Sequence, residues 1–172
     1  LAWTVPASFA AEHNFKSALE VQNIEYDKVY TSPAPFNSLL WRAVVMADNG
    51  YYEAWYSLLD ASNDIRFNYY PSERNLLDGI EDYWPLQRLQ WFSRGIYSVA
   101  RMQDDIVISD LRMGVEPNYV FRFKIGEISN PHARPVIPEK LAPVWDFSRL
   151  HLFWVRIWDQ SIELSPARKN GG

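Results

Sequence analysis

The run Ile106–Phe123, IVISDLRMGVEPNYVFRF, decides the fold class. Apolar and polar residues alternate on both sides of a turn at Gly114–Asn118, so the run reads as a β-hairpin. Asp110 and Arg112 stand two residues apart and are expected on one strand face. A charged pair at inward positions is costly to bury. It is therefore either a satisfied ion pair or part of a site.

Upstream, Ile96–Met102 reads as the strand before the hairpin, turning at Gln103-Asp104. Asn75–Phe92 is helical in pattern, with Leu76, Leu77, Ile80 and Tyr83 on one stripe. Pro85 divides it into two helices near Trp84, with Leu86, Leu89 and Phe92 continuing the apolar side and Gly95 placed to cap the end. Leu39–Met46 is apolar on both faces except at Arg42, which predicts a central strand. Asp48-Asn49-Gly50 is a turn signal, Tyr51–Leu59 the returning strand and Ile65–Tyr70 a third. A helix is expected over Pro6–Glu20 and a short strand over Asp27–Thr31.

Downstream, Ser129–Pro143 holds four prolines and reads as a long loop. From Trp145 a final helix begins. Leu150, Phe153, Trp154, Ile157 and Trp158 fall at helical spacing and are expected to form its apolar side. Residues 165–172 read as a flexible tail. Helices come in blocks and strands are joined by short turns, so the plan is α+β. The expectation is a curved antiparallel sheet of about five to six strands with helices packed on one face, in the manner of an NTF2 or cystatin cone. One domain, residues 1–172, is expected.

Composition narrows the function. At 172 residues and 48% hydrophobic content the chain can bury a substantial core. A formal net charge of −4 gives no electrostatic footprint for nucleic acid. With no cysteine there are no disulfides, thiolate metal sites or cysteine nucleophiles. His13, His132 and His151 lie far apart, so no metal site and no metal cofactor is expected within this chain. No apolar run is long enough to span a bilayer. The start, LAWTVPASFAA, is apolar and lacks Met. Residues 1–10 read either as a processed N-terminus or as the end of a preceding transmembrane segment.

No nucleophile elbow, phosphate loop, zincin motif or calcium loop occurs, so no catalytic residue is assigned. Asp104-Asp105 sits in a hairpin turn and reads as solvated. Arg42, Asp110, Arg112 and Arg122 all fall on expected strands. If Leu39–Met46 and Asp105–Met113 are neighbours, Arg42 reaches Asp110. One reading is a buried ion pair that pins strand register. The other is an anion-binding pocket in the sheet, with Tyr52 or Tyr56 donating from its rim. The surplus of eight Trp and ten Tyr reads mainly as core, and otherwise as a membrane-facing or partner-facing patch.

The runs PAPFNSLLWRAVVM, YYEAWYSLLD, LQRLQWFSRGIYSV and DLRMGVEPNYVFRF, spanning about Ala10 to Ile125, carry a resemblance. They resemble the C-terminal soluble part of the LexA-regulated inner-membrane family described as metal-dependent hydrolases, a bacterial domain of unknown function. PFNSLLWR and DLRMG are the most specific pieces. The family's metal ligands are His and Asp residues of its membrane part, and no position here matches them. The resemblance implies an inner-membrane-tethered accessory domain whose partner is its own N-terminal transmembrane region. Any divalent metal would lie in that region. A small anionic ligand and an oligomer are the alternatives. Asn37, Trp41, Arg42, Asp110 and Arg112 stand in the family-like motifs.

Overall fold

Leu40–Ala47 is apolar on both faces because both are covered, and the first half of the fold is built around it. The structure is a computed structural model that describes residues 4–35, 37–129, 132–143, 148 and 150–165. The chain divides into two compact units, residues 1–70 with 146–172, and residues 71–145. The class is α+β and the paired strands are antiparallel. The strands form two four-stranded sheets and a two-stranded ribbon, rather than one sheet of five or six.

In the first unit, α1 (Thr4–Val21) precedes β1 (Lys28–Pro33), β2 (Leu40–Ala47), β3 (Gly50–Ser57) and β4 (Phe67–Pro71), which pair in chain order. The central position predicted for Leu39–Met46 is met, since β2 lies between β1 and β3. Alternation assigns its faces. Trp41, Ala43 and Val45 of β2, with Ala54 and Tyr56 of β3, pack against Ala7, Ala11, Phe15, Ala18 and Leu19 of α1. The opposite face carries Arg42, Glu53, Trp55 and Ser57. Against that face lies α3 (Leu150–Trp158), with Phe153 edge-on to Trp55 at 5.3 Å and the Ser57 hydroxyl donating to the Ile157 carbonyl at 2.8 Å. Helices therefore cover both faces of this sheet. Gly50 starts β3 where the Tyr70 carbonyl and the Tyr69 ring pass so close that a Cβ would collide with both.

The stripe expected on the last helix does not face the core as a whole. Ile157 is buried, but Trp154 is 55% exposed and Trp158 77% exposed. Arg156, lying between these apolar positions, is buried instead. Its charge finds a partner within the fold, and that bond fixes how the helix is rotated. Trp145 lies outside the described residues. Of the expected flexible tail, Ser165 is buried, and the rest lies outside the described residues.

In the second unit a short 3-10 turn at Arg74–Leu77 leads to α2 (Trp84–Phe92). Of the two helices expected around Pro85 the second is present, the proline sitting in its first turn where its missing N–H costs nothing, whereas the first shrinks to the 3-10 turn and leaves Ile80 and Tyr83 outside any helix. The helix ends through Arg94 and Gly95, both at positive φ, with Gly95 N–H donating back to Gln90. Then come β5 (Tyr97–Met102), β6 (Asp105–Asp110), the ribbon β7 (Gly114–Val115) with β8 (Asn118–Tyr119), β9 (Arg122–Glu127) and β10 (Arg134–Lys140). The sheet order is β10-β9-β6-β5. The hairpin of the decisive run is β6 with β9, and the ribbon forms its tip. Leu77, Ile80 and Leu86 pack on Val99, Ile106, Ile108 and Ile125.

The expected loop Ser129–Pro143 contains strand β10. Its prolines are tolerated because β10 is an edge strand whose register slips between Pro135 and Glu139. Phe92, assigned to the apolar core side, is half exposed.

Candidate functional site

Among the described residues the first unit buries four charged side chains, and all four are paired. Arg42 and Glu53 are cross-strand diagonal neighbours on the α3 side of the sheet, because Arg42 faces Trp55 and Glu53 faces Val44 in the ladder. Their side chains are 3% and 0% exposed, with Nη2 to Oε2 at 2.9 Å. The other carboxylate oxygen of Glu53 accepts from the Ser165 hydroxyl at 2.5 Å, and that hydroxyl accepts from the Trp55 indole at 2.8 Å. The Asn68 amide donates to the Ser165 carbonyl at 2.7 Å.

The second pair is Arg156 with Asp60. The fork geometry is met, with Nη1 to Oδ1 at 2.7 Å and Nη2 to Oδ2 at 2.8 Å. Arg156 also donates to the Trp55 carbonyl at 3.2 Å, and Asp60 accepts from the Ser57 backbone N–H at 2.9 Å. Both partners therefore have further hydrogen bonds, which is the condition under which a buried pair is tolerated.

Beside this network lies a cleft of about 770 Å³, within the size range of small-molecule sites. Ala18, Val21 and Gln22 of α1 line it, with the loop 62–66, Phe67 and Asn68 of β4, and residues 160–165 after α3; Trp55 and Arg156 also contribute to its lining. Its polar lining is mostly amide and hydroxyl: Ser17, Gln22, Ser62, Asn63, Asn68, Gln160 and Ser161. Its charged side chains are largely committed. Arg66 pairs with Glu163, and Arg156 with Asp60.

The residues singled out from sequence are divided between the two units. Arg42 on β2 and Asp110 on β6 belong to different sheets and different units, so the neighbouring strands expected for them are not formed. Arg42 holds Glu53, while Asp110 holds Arg112. Asp110 ends β6 and Arg112 lies in the turn beyond it, so the two share a turn rather than a strand face. The Arg112 guanidinium reaches Asp110 at 2.6 to 3.2 Å, and Arg112 N–H also donates to the Asp110 carboxylate at 3.0 Å. The crevice beside Asp110 measures about 10 Å³, room for one water at most. Arg122 reaches the Met102 sulfur. Tyr52 is half buried against the Tyr69 ring at 5.1 Å. Tyr56 lies inside the α1 core rather than on a rim, its hydroxyl accepting from Asn14 at 3.2 Å and donating to Asn63 at 3.4 Å. Burial pushes the Tyr56 phenol up from its ordinary value, with the nearby Asp60 charge adding to the rise.

Glu53, Asp60, Arg156 and Ser165 were not marked by the sequence reading. A signal existed for two of them. Glu53 is the lone charge in YYEAWYS and Arg156 the lone charge in LFWVRIW, the same pattern that marks Arg42. Nothing local marks Asp60 or Ser165.

Among the described residues no three His, Asp or Glu side chains gather as a metal-binding group. Among the described residues no helix is long and apolar enough to cross a membrane. Comparison with protein-family models, curated proteins and solved structures finds no match for this chain.

Proposed function

We propose that this chain is an accessory binding domain of a membrane-bound metal-dependent hydrolase, and that the cleft of the first unit is its binding element. The placement beside a membrane hydrolase rests on the sequence runs described above. The binding role is supported by one observation, a ligand-sized cleft whose polar lining is mostly uncharged. Amides and hydroxyls together with Phe67, Ile65 and Trp55 in one lining suit a neutral, hydrogen-bonding ligand such as a saccharide or a peptide backbone. The four buried charges serve as framework, since each already has its counter-ion. The alternative of an anion held by Arg42 and Arg112 draws no support from geometry, because each guanidinium already holds a carboxylate.

The test is a thermal-shift and NMR titration of the chain with neutral oligosaccharides and short uncharged peptides. It runs beside Ile162→Trp, which fills the cleft from an outer wall. Ligand-dependent stabilisation in the wild type that is lost in the variant supports the reading. Equal shifts in both proteins, or stabilisation only by anions that Arg112→Ala abolishes, would overturn it.

A further inference from the structure

The sequence WPLQRLQWF gives α2 two apolar sides where a core helix needs one. Leu86 and Leu89 face the second unit's core. Trp84, Arg88, Trp91 and Phe92 fall at i, i+4, i+7 and i+8, a separate face. Trp84 is 68% exposed and Trp91 69% exposed, and Phe92 is half exposed. Isolated exposed apolar residues are ordinary, but two tryptophans and a phenylalanine on a single face form a patch that the fold itself does not use.

The patch is basic. The Arg88 guanidinium lies 5.8 Å from the Trp84 ring centroid and 4.8 Å from that of Trp91, so it bridges the two indoles. Phe92 continues the patch under Arg112 at 4.9 Å and meets Phe121 edge-on at 6.1 Å. Lys140 closes it, 5.0 Å over Phe121. Asp110 answers the charge of Arg112. Among the described residues, Arg88 and Lys140 have no carboxylate partner, and α2 itself contains no acidic residue.

We propose that this face of α2 is a membrane-contact surface that seats at the headgroup level of an anionic phospholipid bilayer. Indoles prefer that level because an apolar ring and an N–H are both accommodated there. Arginine and lysine lay their stems on the same apolar layer and hold their charges among lipid phosphates. The free cations of the patch complement a negative surface, although the whole chain is acidic. That acidity disfavours a nucleic-acid polyanion, which needs a broad basic footprint rather than two uncompensated cations.

The experiment is co-sedimentation of the chain with vesicles of phosphatidylglycerol and phosphatidylethanolamine, and with vesicles of phosphatidylcholine alone. The account expects binding to the anionic vesicles that weakens with salt. Trp84→Ala with Trp91→Ala should lower the partition on the order of tenfold or more. Arg88→Gln should lower it several-fold and flatten the salt dependence. All three sites are exposed, and an unchanged melting temperature confirms that each variant is folded. The proposal is overturned if the wild type ignores anionic vesicles at low salt, or if the double variant binds them equally. It is also overturned if the same substitutions instead abolish self-association or RNA binding while vesicle binding is absent. The cleft-filled Ile162→Trp should keep full vesicle binding, so this surface and the binding cleft stand or fall separately.

Discussion

The two units differ in how their most buried charges are held. In the first, Arg156 and Asp60 are joined across 96 positions, and Glu53 is tied to Ser165 across 112. These bonds are buried and link the C-terminal segment to the sheet. In the second, Asp110 and Arg112 are two apart, and Lys124 bridges Asp105 and Glu127 at a wetter site with Arg134 beyond. Pairs with a partly exposed partner, such as Arg112 or Lys124, return less, because water competes for that partner. Long-range buried pairs lose their hydration and so demand a full set of partners, but they fix register and helix rotation. Here the demanding kind frames the cleft, and the cheap kind decorates the sheet beside an aromatic surface.

The contrast can be broken at its strongest point first. Arg156→Met should leave the Asp60 carboxylate buried without its counter-ion and cost about 3–5 kcal/mol in urea unfolding. Glu53→Ala should cost a comparable amount by stranding Arg42. If either costs less than about 1 kcal/mol, the pair is not a framework element. Ser165→Ala removes one hydroxyl from between Glu53 and Trp55 and should cost about 1–2 kcal/mol, read as a lower urea midpoint at unchanged slope. Arg112→Ala leaves the buried Asp110 carboxylate without its counter-ion and should cost about 1–2 kcal/mol, less than a fully buried pair because Arg112 is partly exposed and Asp110 keeps the Arg112 backbone N–H.

The smallest effect is a pH dependence. Arg134, and then Lys124, hold the Glu127 carboxyl below its ordinary 4.5. A lowered folded-state value means stability that is present above the ordinary value and lost as pH falls through the folded one. Asp105 and Glu127 raise Lys124 above its ordinary 10.5. Its contribution is present below that value and lost only as pH climbs through the raised one. Melting curves between pH 6 and pH 3 should therefore fall less steeply for Glu127→Gln than for wild type, and a parallel fall would remove this network from the account.

How much of this was legible in the sequence follows the same division. Features set by near neighbours could be read. The β2 strand is apolar on both faces, the β6–β9 hairpin alternates about its turn, and Pro85 announces the start of α2. Features set by distant partners could not. Ser129–Pro143 reads as loop because prolines break ladders, and only an edge position with slipped register allows β10 there. The stripe on α3 is a clean helical pattern, yet the bond from Arg156 to Asp60 turns Trp154 and Trp158 outward. Arg42 stands out in the sequence as an isolated charge on a buried strand, but the expected partner, Asp110, belongs to the other sheet. Glu53 sits only 11 positions away, on the very next strand, and a register drawn from the Asp48–Gly50 turn would have placed it diagonally opposite.

The most direct measurement is a pair of double-mutant cycles, one on Arg156 and Asp60 and one on Arg112 and Asp110. The account predicts a coupling of about 2–3 kcal/mol in the first and a smaller one, about 1 kcal/mol, in the second, where Arg112 is partly exposed. Equal couplings, or a first coupling near zero, would contradict the claim that long-range buried charge pairs hold the first unit and its cleft together.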